Sequence, residues 1–240
     1  MNSVRRHAPT SVIRLRREAR ESFEQFIRWT HNKSPHRWVF RGHANHWSLK
    51  PSVGRSKRYR IEYEQQLLTD FRRGARPFLK ERPESNWDWL AVAQHHGLPT
   101  RLIDWTTNPL VACYFATALV GRSKQAGEIV AVEVRKIGFY HPEDPGEDDP
   151  FDITEPRFIR PPTIAARIGS QRGMFSIHPE PDKAWYIGGK SERFEISHDH
   201  KDEFRRLLHA MGVDDASLMA DLDGLAKMLR WRFENGLLSE

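Results

Sequence analysis

The sequence predicts an α+β fold: a single domain with a small mixed or antiparallel sheet flanked by helices. Three observations predict it. Helix-like and strand-like segments do not alternate regularly, which disfavours a doubly wound parallel sheet. The two clearest strand-like runs, Arg37 to Gly42 and Gly127 to Val134, lie far apart with helical patterns between them. The chain has 240 residues, and a length of this order buries roughly 70–75% of its unfolded surface, enough to fold without a disulfide or metal.

The elements follow in order. Residues 1–17 are Arg-rich and read as a flexible basic arm, with the domain spanning 18–240. Glu18 to His31 places Phe23, Phe26, Ile27 and Thr30 at helical spacing. Arg37 to Gly42 is rich in β-formers and ends in glycine. Residues 43–60 are irregular. Ile61 to Leu79 carries Tyr63, Leu67, Leu68, Phe71 and Phe78, the pattern of a long helix. Trp87 to His96 predicts a second helix with Gly97 as its C-terminal cap. Leu98 to Thr107 is a loop or short strand. Asn108 and Pro109 form an N-cap and first-turn pair for an apolar helix over Leu110 to Leu119. Gly127 to Val134 (GEIVAVEV) is a strand. Pro142 to Glu155 holds seven acids and no base, so it reads as an exposed loop. Segments 158–162 and 163–175 follow, and Arg193 to Ser197 is strand-like. Asp199 to Met211 and Ala216 to Phe233 predict C-terminal helices within 199–233.

Composition excludes several classes. One cysteine, Cys113, rules out an internal disulfide framework and a Cys-rich zinc module. It lies in the apolar run LVACYFATAL and reads as a small buried hydrophobe. No apolar run approaches the roughly 18 residues of a membrane span, and the start has no secretory signal pattern. A soluble cytoplasmic protein is expected. The net charge of +6 hides an asymmetry. Residues 1–82 hold 20 Lys and Arg against 7 Asp and Glu, a balance of +13, and the remainder holds 18 against 25. The basic third suits phosphate-bearing ligands, either nucleic acid or a dinucleotide, or is an ordinary solvated face. Phosphate-loop, dinucleotide-fold, His-Glu-x-x-His and nucleophile-elbow motifs are absent. His95 and His96 point about 100° apart on a helix and are poor joint metal ligands, so no metal site is expected.

Two stretches are dense in chemistry. In Trp38-Val39-Phe40-Arg41-Gly42, Arg41 shares a face with Val39, and Gly42 lets another group approach closely. A guanidinium fork there suits a phosphate or carboxylate. The second stretch, Ala93 to Pro109 (AQHHGLPTRLIDWTTNP), offers Arg101 and Asp104 as an internal ion pair. It also places Thr106 and Thr107 before a helix N-terminus, where free N–H groups favour an anion.

The chain resembles the FRG domain family, named for Phe40-Arg41-Gly42. The resemblance rests on VFRGHANHWSLKPSVGR, on WLAVAQHHGLPTRLIDWTTNPLVACYFA and on RIGSQRGMFSIHP, with a weaker echo at DASLMADLDGLAKML. It implies a bacterial or phage-associated protein of conflict or defence. More distantly, the arrangement is similar to the ADP-ribosyltransferase pattern. That resemblance implies NAD as substrate and an ADP-ribosyltransferase-like toxin or phage-defence effector acting on a macromolecule. Arg41 and Gly42 match its first element, Asp104 to Thr107 with Phe115 its second, and Gln171 its third. By that resemblance, Arg41, Gly42, Arg101, Asp104, Thr107 and Arg167 bind the dinucleotide. Gln171, His95 and Thr106 then serve catalysis, with His95 as base on the acceptor. Gln171 departs from the usual Glu, and a carboxylate there would steady an oxocarbenium-like transition state. The implied partners are a protein or nucleic-acid acceptor and a phage or antitoxin protein, with no membrane. Two alternatives stand beside this. One is a nucleic-acid-binding module using the basic third with Trp29, Trp38 and Trp47. The other is a non-catalytic sensor of a nucleotide or phage protein.

Overall fold

A computed structural model describes residues 10–79, 83–118, 124–140, 149–159, 173–187 and 191–238. Gly127–Glu133 (β3) is buried at all seven of its residues. A β-branched run of this kind suits a strand covered on both faces. Trp38–His43 (β1) pairs with β3 antiparallel over six residues, and Ser191–Ile196 (β7) pairs along its other edge. Leu102–Thr106 (β2) pairs antiparallel with Gly173–Ile177 (β6) over five residues. Arg157–Ile159 (β5) extends β6 antiparallel, and Phe139–Tyr140 (β4) joins β5 in parallel. The result is one mixed, largely antiparallel seven-stranded sheet, in the order β4-β5-β6-β2-β1-β3-β7. This is the α+β architecture the sequence predicts.

The sheet has a seam. Its halves, β4-β5-β6-β2 and β1-β3-β7, meet through a single register pair, Phe40 with Thr106. Beyond that pair β1 and β2 separate.

Among the described residues seven helices accompany the sheet: Thr10–Thr30 (α1), Ile61–Ala75 (α2), Asn86–His95 (α3), Pro109–Ala116 (α4), Lys201–Ala210 (α5), Asp215–Met219 (α6) and Leu222–Glu234 (α7). Helices cover one sheet face on both sides of the seam. On the β1-β3-β7 side, Phe23 and Phe26 of α1, Val111 and Ala112 of α4 and Phe204 and Leu208 of α5 bury Phe40, Ile129 and Ala131. On the β2 side, Leu68 of α2 and Trp89 and Leu90 of α3 bury Leu102, Phe175 and Ile177. The opposite face carries Val39, Ile103, Trp105, Val130, Val132 and Met174. It is covered by irregular chain through Leu49, Trp185 and Ile187.

Several boundaries differ from the sequence expectation. The helix expected from Glu18 starts at Thr10, so residues 10–17 are helical rather than part of an arm. Arg14 pairs with Glu18 and Arg17 with Glu21, while Arg16 and Arg20 both reach Glu203 on α5. The basic residues are thus helix and docking contacts. The helix expected over 61–79 yields to a 3₁₀ turn at Arg76–Phe78, because Pro77 has no N–H and restrains the residue before it. The single helix expected over 216–233 is two helices, α6 and α7. Ala220 breaks it in the left-handed region at φ 54°. Of the acidic loop 142–155, residues 149–155 fall within the described part. They are anchored: Pro150 is buried, Asp149 accepts from Asn86, and the Phe151 ring lies 4.3 Å from the Arg101 guanidinium carbon.

Candidate ligand-binding cleft

A cleft of about 370 Å³ opens where β1 and β2 part. Its floor is the seam: Phe40, Arg41 and Gly42 on one side, and Asp104, Trp105 and Thr106 on the other. Gln94, His95 and Gly97 from the end of α3 and Val111, Ala112 and Phe115 from α4 form its walls. Gly173, Met174 and Phe175 of β6 complete it. The volume lies in the usual range for small-molecule sites, about 300–1,000 Å³.

Arg41 spans the seam. Its Nη1 donates to the Asp104 carbonyl at 2.7 Å, the acceptor that a continued β1–β2 ladder would have used. The same nitrogen lies 3.6 Å from the Asp104 carboxylate. Its Nε donates to His43 Nε2 at 2.8 Å. His43 is therefore a neutral imidazole with its proton on Nδ1, and that nitrogen sits 3.8 Å from Glu128, beyond hydrogen-bond reach. Burial lowers the His43 pKa; Glu128 opposes this and Arg41 adds to it. Burial would raise Glu128, but His43 and Arg193 bring it down to about 2. Arg41 Nη2 has no hydrogen-bond partner among the described residues, which leaves one edge of the fork for a ligand. Burial lowers the Arg41 pKa while Asp104 raises it, and a guanidinium stays charged across the biological range.

Asp104 is held from the other side. Gln94 Nε2 donates to its carboxylate at 2.8 Å, and the Gln94 carbonyl oxygen accepts from the Thr100 hydroxyl at 2.6 Å. Thr100 is itself buried and accepts at its carbonyl from Val53 N–H. An exposed carboxylate is thereby fixed beside a half-buried guanidinium. Thr106 is buried at the seam, and its Oγ1 accepts from the Asn108 N–H.

Behind β2, Trp105 Nε1 donates to Ser176 Oγ, which in turn hydrogen-bonds His178 Nε2 at 2.8 Å. Burial and Arg41 bring the His178 pKa down to about 3. The ring is neutral at pH 7.

The structure brings Arg41, Gly42, His95, Asp104 and Thr106 to one cleft. It separates others. Arg101 does not pair with Asp104. It is fully buried, and its Nε and Nη2 donate to the two Glu64 oxygens at 3.0 and 2.9 Å, with Nη1 on the Pro150 carbonyl. A charge this deep needs a bidentate partner, and Asp104 is exposed and held elsewhere. Thr107 is not among the lining residues. Arg167 and Gln171 lie outside the described residues; Gly173, the first described residue after them, lines the cleft.

Two further expectations change. A Cβ on Gly42 would lie 1.8 Å from the Ala112 carbonyl oxygen. The group that approaches closely is α4, not a ligand. The first-turn N–H groups of α4 are also taken: Leu110 by the Asn108 side chain, Val111 and Ala112 by the Asn108 carbonyl. Asn108 and Pro109 cap the helix as their residue types predict, and for that reason its N-terminus offers no anion site. Gln94, His43 and Glu128 were missed by sequence reasoning. Gln94 sits inside the AQHHG run, and its neighbours' polarity was the available signal. His43 and Glu128 meet only through β1–β3 register.

Cys113 is fully buried, with its thiol pKa raised by burial. Among the described residues no group of three or more His, Cys, Asp or Glu is placed to hold a metal. No described helix is long and apolar enough to cross a membrane.

No curated protein and no solved structure matches the chain. The model of the FRG domain matches residues 36–125, the stretch that supplies β1, α2, α3, β2 and α4 and with them most of the cleft. By that match, around a cleft built on its Phe-Arg-Gly strand, the chain carries an FRG domain.

Proposed function

We propose that the cleft binds an NAD-type dinucleotide and that the protein is an ADP-ribosyltransferase-like effector in the cytoplasm, modifying a macromolecular acceptor. The observation that carries this is the convergence of Arg41, Asp104, Thr106 and His95 on one opening at the seam of the sheet. The residues suit such a substrate. Arg41 Nη2 offers a charge-assisted bond to a phosphate oxygen. Phe115 and Phe175 give apolar wall for a ring.

The cleft carboxylate is Asp104, which compensates in kind for the neutral Gln171. As the bond from the anomeric carbon to nicotinamide breaks, its electron pair leaves with nicotinamide. The cationic sugar carbon is steadied by a fixed carboxylate. The acceptor then bonds that carbon, and its proton passes to His95.

Several cations of the basic first third already have acidic partners within the protein, which weakens the alternative of a general nucleic-acid interface. Lys33 pairs with Glu192, Arg37 with Glu133, and Arg16 and Arg20 with Glu203. Trp29 and Trp38 pack on the core with Lys33 over both rings.

Calorimetric titration with NAD and chromatographic assay of released nicotinamide test the proposal. Wild-type protein binds NAD, and Arg41→Ala weakens binding roughly 10- to 100-fold, the range for a lost charged hydrogen bond of about 1.5–3 kcal/mol. Unchanged affinity in that variant removes the site assignment. Absence of NAD binding by the wild type removes the function, and binding without nicotinamide release with any acceptor leaves a sensor in its place.

A further inference from the structure

Helix α7 lies outside the cleft and turns an apolar face to solvent. Its packed side is Gly224, Met228, Trp231 and Asn235: Trp231 meets the His209 ring at 5.2 Å, and Asn235 accepts from Arg206. At 100° per residue the opposite side carries Leu222, Leu225, Leu229 and Phe233. These are 82, 42, 43 and 72% exposed. Four large apolar side chains in line on one helix are more than the scattered exposure of an ordinary surface.

The flanks of this stripe say what covers it. Asp223 and Arg230 border one side, and Asp221 and Arg232 the other. Acids stand at the N-terminal end of both borders and Arg230 and Arg232 towards the C-terminal end, where Glu234 also lies beside Arg230. In an antiparallel helix pair each border faces its own copy. A register that sets Asp223 opposite Arg230 of the partner subunit also sets Asp221 opposite Arg232 of the partner subunit. The same offset brings Leu225 beside Leu229 of the partner subunit. Two-fold symmetry doubles each pair. A parallel pairing would set acid against acid.

We infer that α7 is a homodimer interface in which two copies of this chain pack their Leu222–Leu225–Leu229–Phe233 stripes antiparallel, with Asp223 and Asp221 meeting Arg230 and Arg232 across the two-fold axis. Arg230 shares its charge with Glu234 in its own helix, Arg232 donates from Nε and Nη2 to the Leu237 carbonyl and keeps Nη1, and Asp221 retains one oxygen beyond its cap on Gly224. All three therefore reach across without giving up their local roles. The inference is independent of what the cleft binds.

Sedimentation equilibrium of the full chain over a concentration series is the test, with circular dichroism confirming that each variant is folded. Wild-type protein sediments at twice the chain mass. Leu229→Glu sediments as a folded monomer. Asp223→Arg alone and Arg230→Asp alone each raise the dimer dissociation constant at least about tenfold, by setting like charges face to face. An equimolar mixture of the two single variants restores dimers, because each acid again meets a base. A wild-type monomer at every concentration overturns the inference and leaves the stripe to a different partner. A dimer that survives Leu229→Glu overturns the interface, and a mixture that stays monomeric overturns the antiparallel register.

Discussion

Gly42 and His178 show how single residues govern the seam from opposite faces of the sheet. Gly42 has ordinary backbone geometry, so its role is space: α4 crosses β1 at backbone contact. Gly127 admits the same helix, with its Cβ position 2.1 Å from the Ala116 carbonyl oxygen. Gly42→Ala forces α4 off the sheet and costs about 3 kcal/mol, at the upper end of overpacking effects. A urea unfolding midpoint measures it, and an unchanged midpoint would contradict the crossing. His178 governs acid stability. Its pKa falls from 6.5 to about 3 on folding, so between those values the unfolded chain binds the proton and the native one does not. Stability accordingly falls as pH drops from about 6.5 towards 3, and His43 adds to the same slope in direction. Glu128 contributes in a lower window, with stability present above 4.5 and lost as pH falls towards about 2. His178→Asn flattens the decline between pH 7 and 4 in urea midpoints. A slope identical to wild type would show that His178 is not its source.

At the scale of elements, local sequence signals hold where the chain supplies its own partners. Ser85 caps α3 through a box with Asp88, Asp214 caps α6, and Asn108 caps α4. Gly97 follows α3 at φ 82°, the position its residue type predicts. Signals fail where a distant group intervenes. The first turns of α1 look like a solvated basic tail, yet Glu203 from α5 gives Arg16 and Arg20 a buried acid to hold. The break between α6 and α7 is invisible because Ala220 is a strong helix former. It adopts the left-handed region only because Asp221 starts a new helix by accepting from Gly224 N–H. An L-residue there is strained by about 1–2 kcal/mol, part of which glycine gives back in chain entropy. Ala220→Gly therefore raises stability by about 0.5–1 kcal/mol in denaturant unfolding; a loss would mean that the turn is not strained.

Across the whole molecule, one buried ion pair ties three parts together. Arg101, at the entry to β2, holds Glu64 of α2 and the Pro150 carbonyl within the acidic segment, and lies over Phe151. Removing one partner strands a buried charge, so Glu64→Ala costs about 3–5 kcal/mol. A loss below about 1 kcal/mol would show that water or another acid satisfies Arg101. The sequence by itself determined the α+β class, the caps at Gly97 and Asn108, the apolar helix α4, the buried cysteine and the polar density of the Phe40-Arg41-Gly42 and Ala93–Pro109 stretches, which line much of the cleft, because periodicity, capping and residue type act within a few residues. Only the tertiary structure decided that Arg101 belongs to Glu64 rather than Asp104, that Gly42 serves α4, and that Arg41 bridges a seam beside Gln94 and His43. Apart from His43, two residues along the same strand as Arg41, those partners lie 37 to 70 residues apart, and no local pattern encodes which of several acids a buried guanidinium will reach.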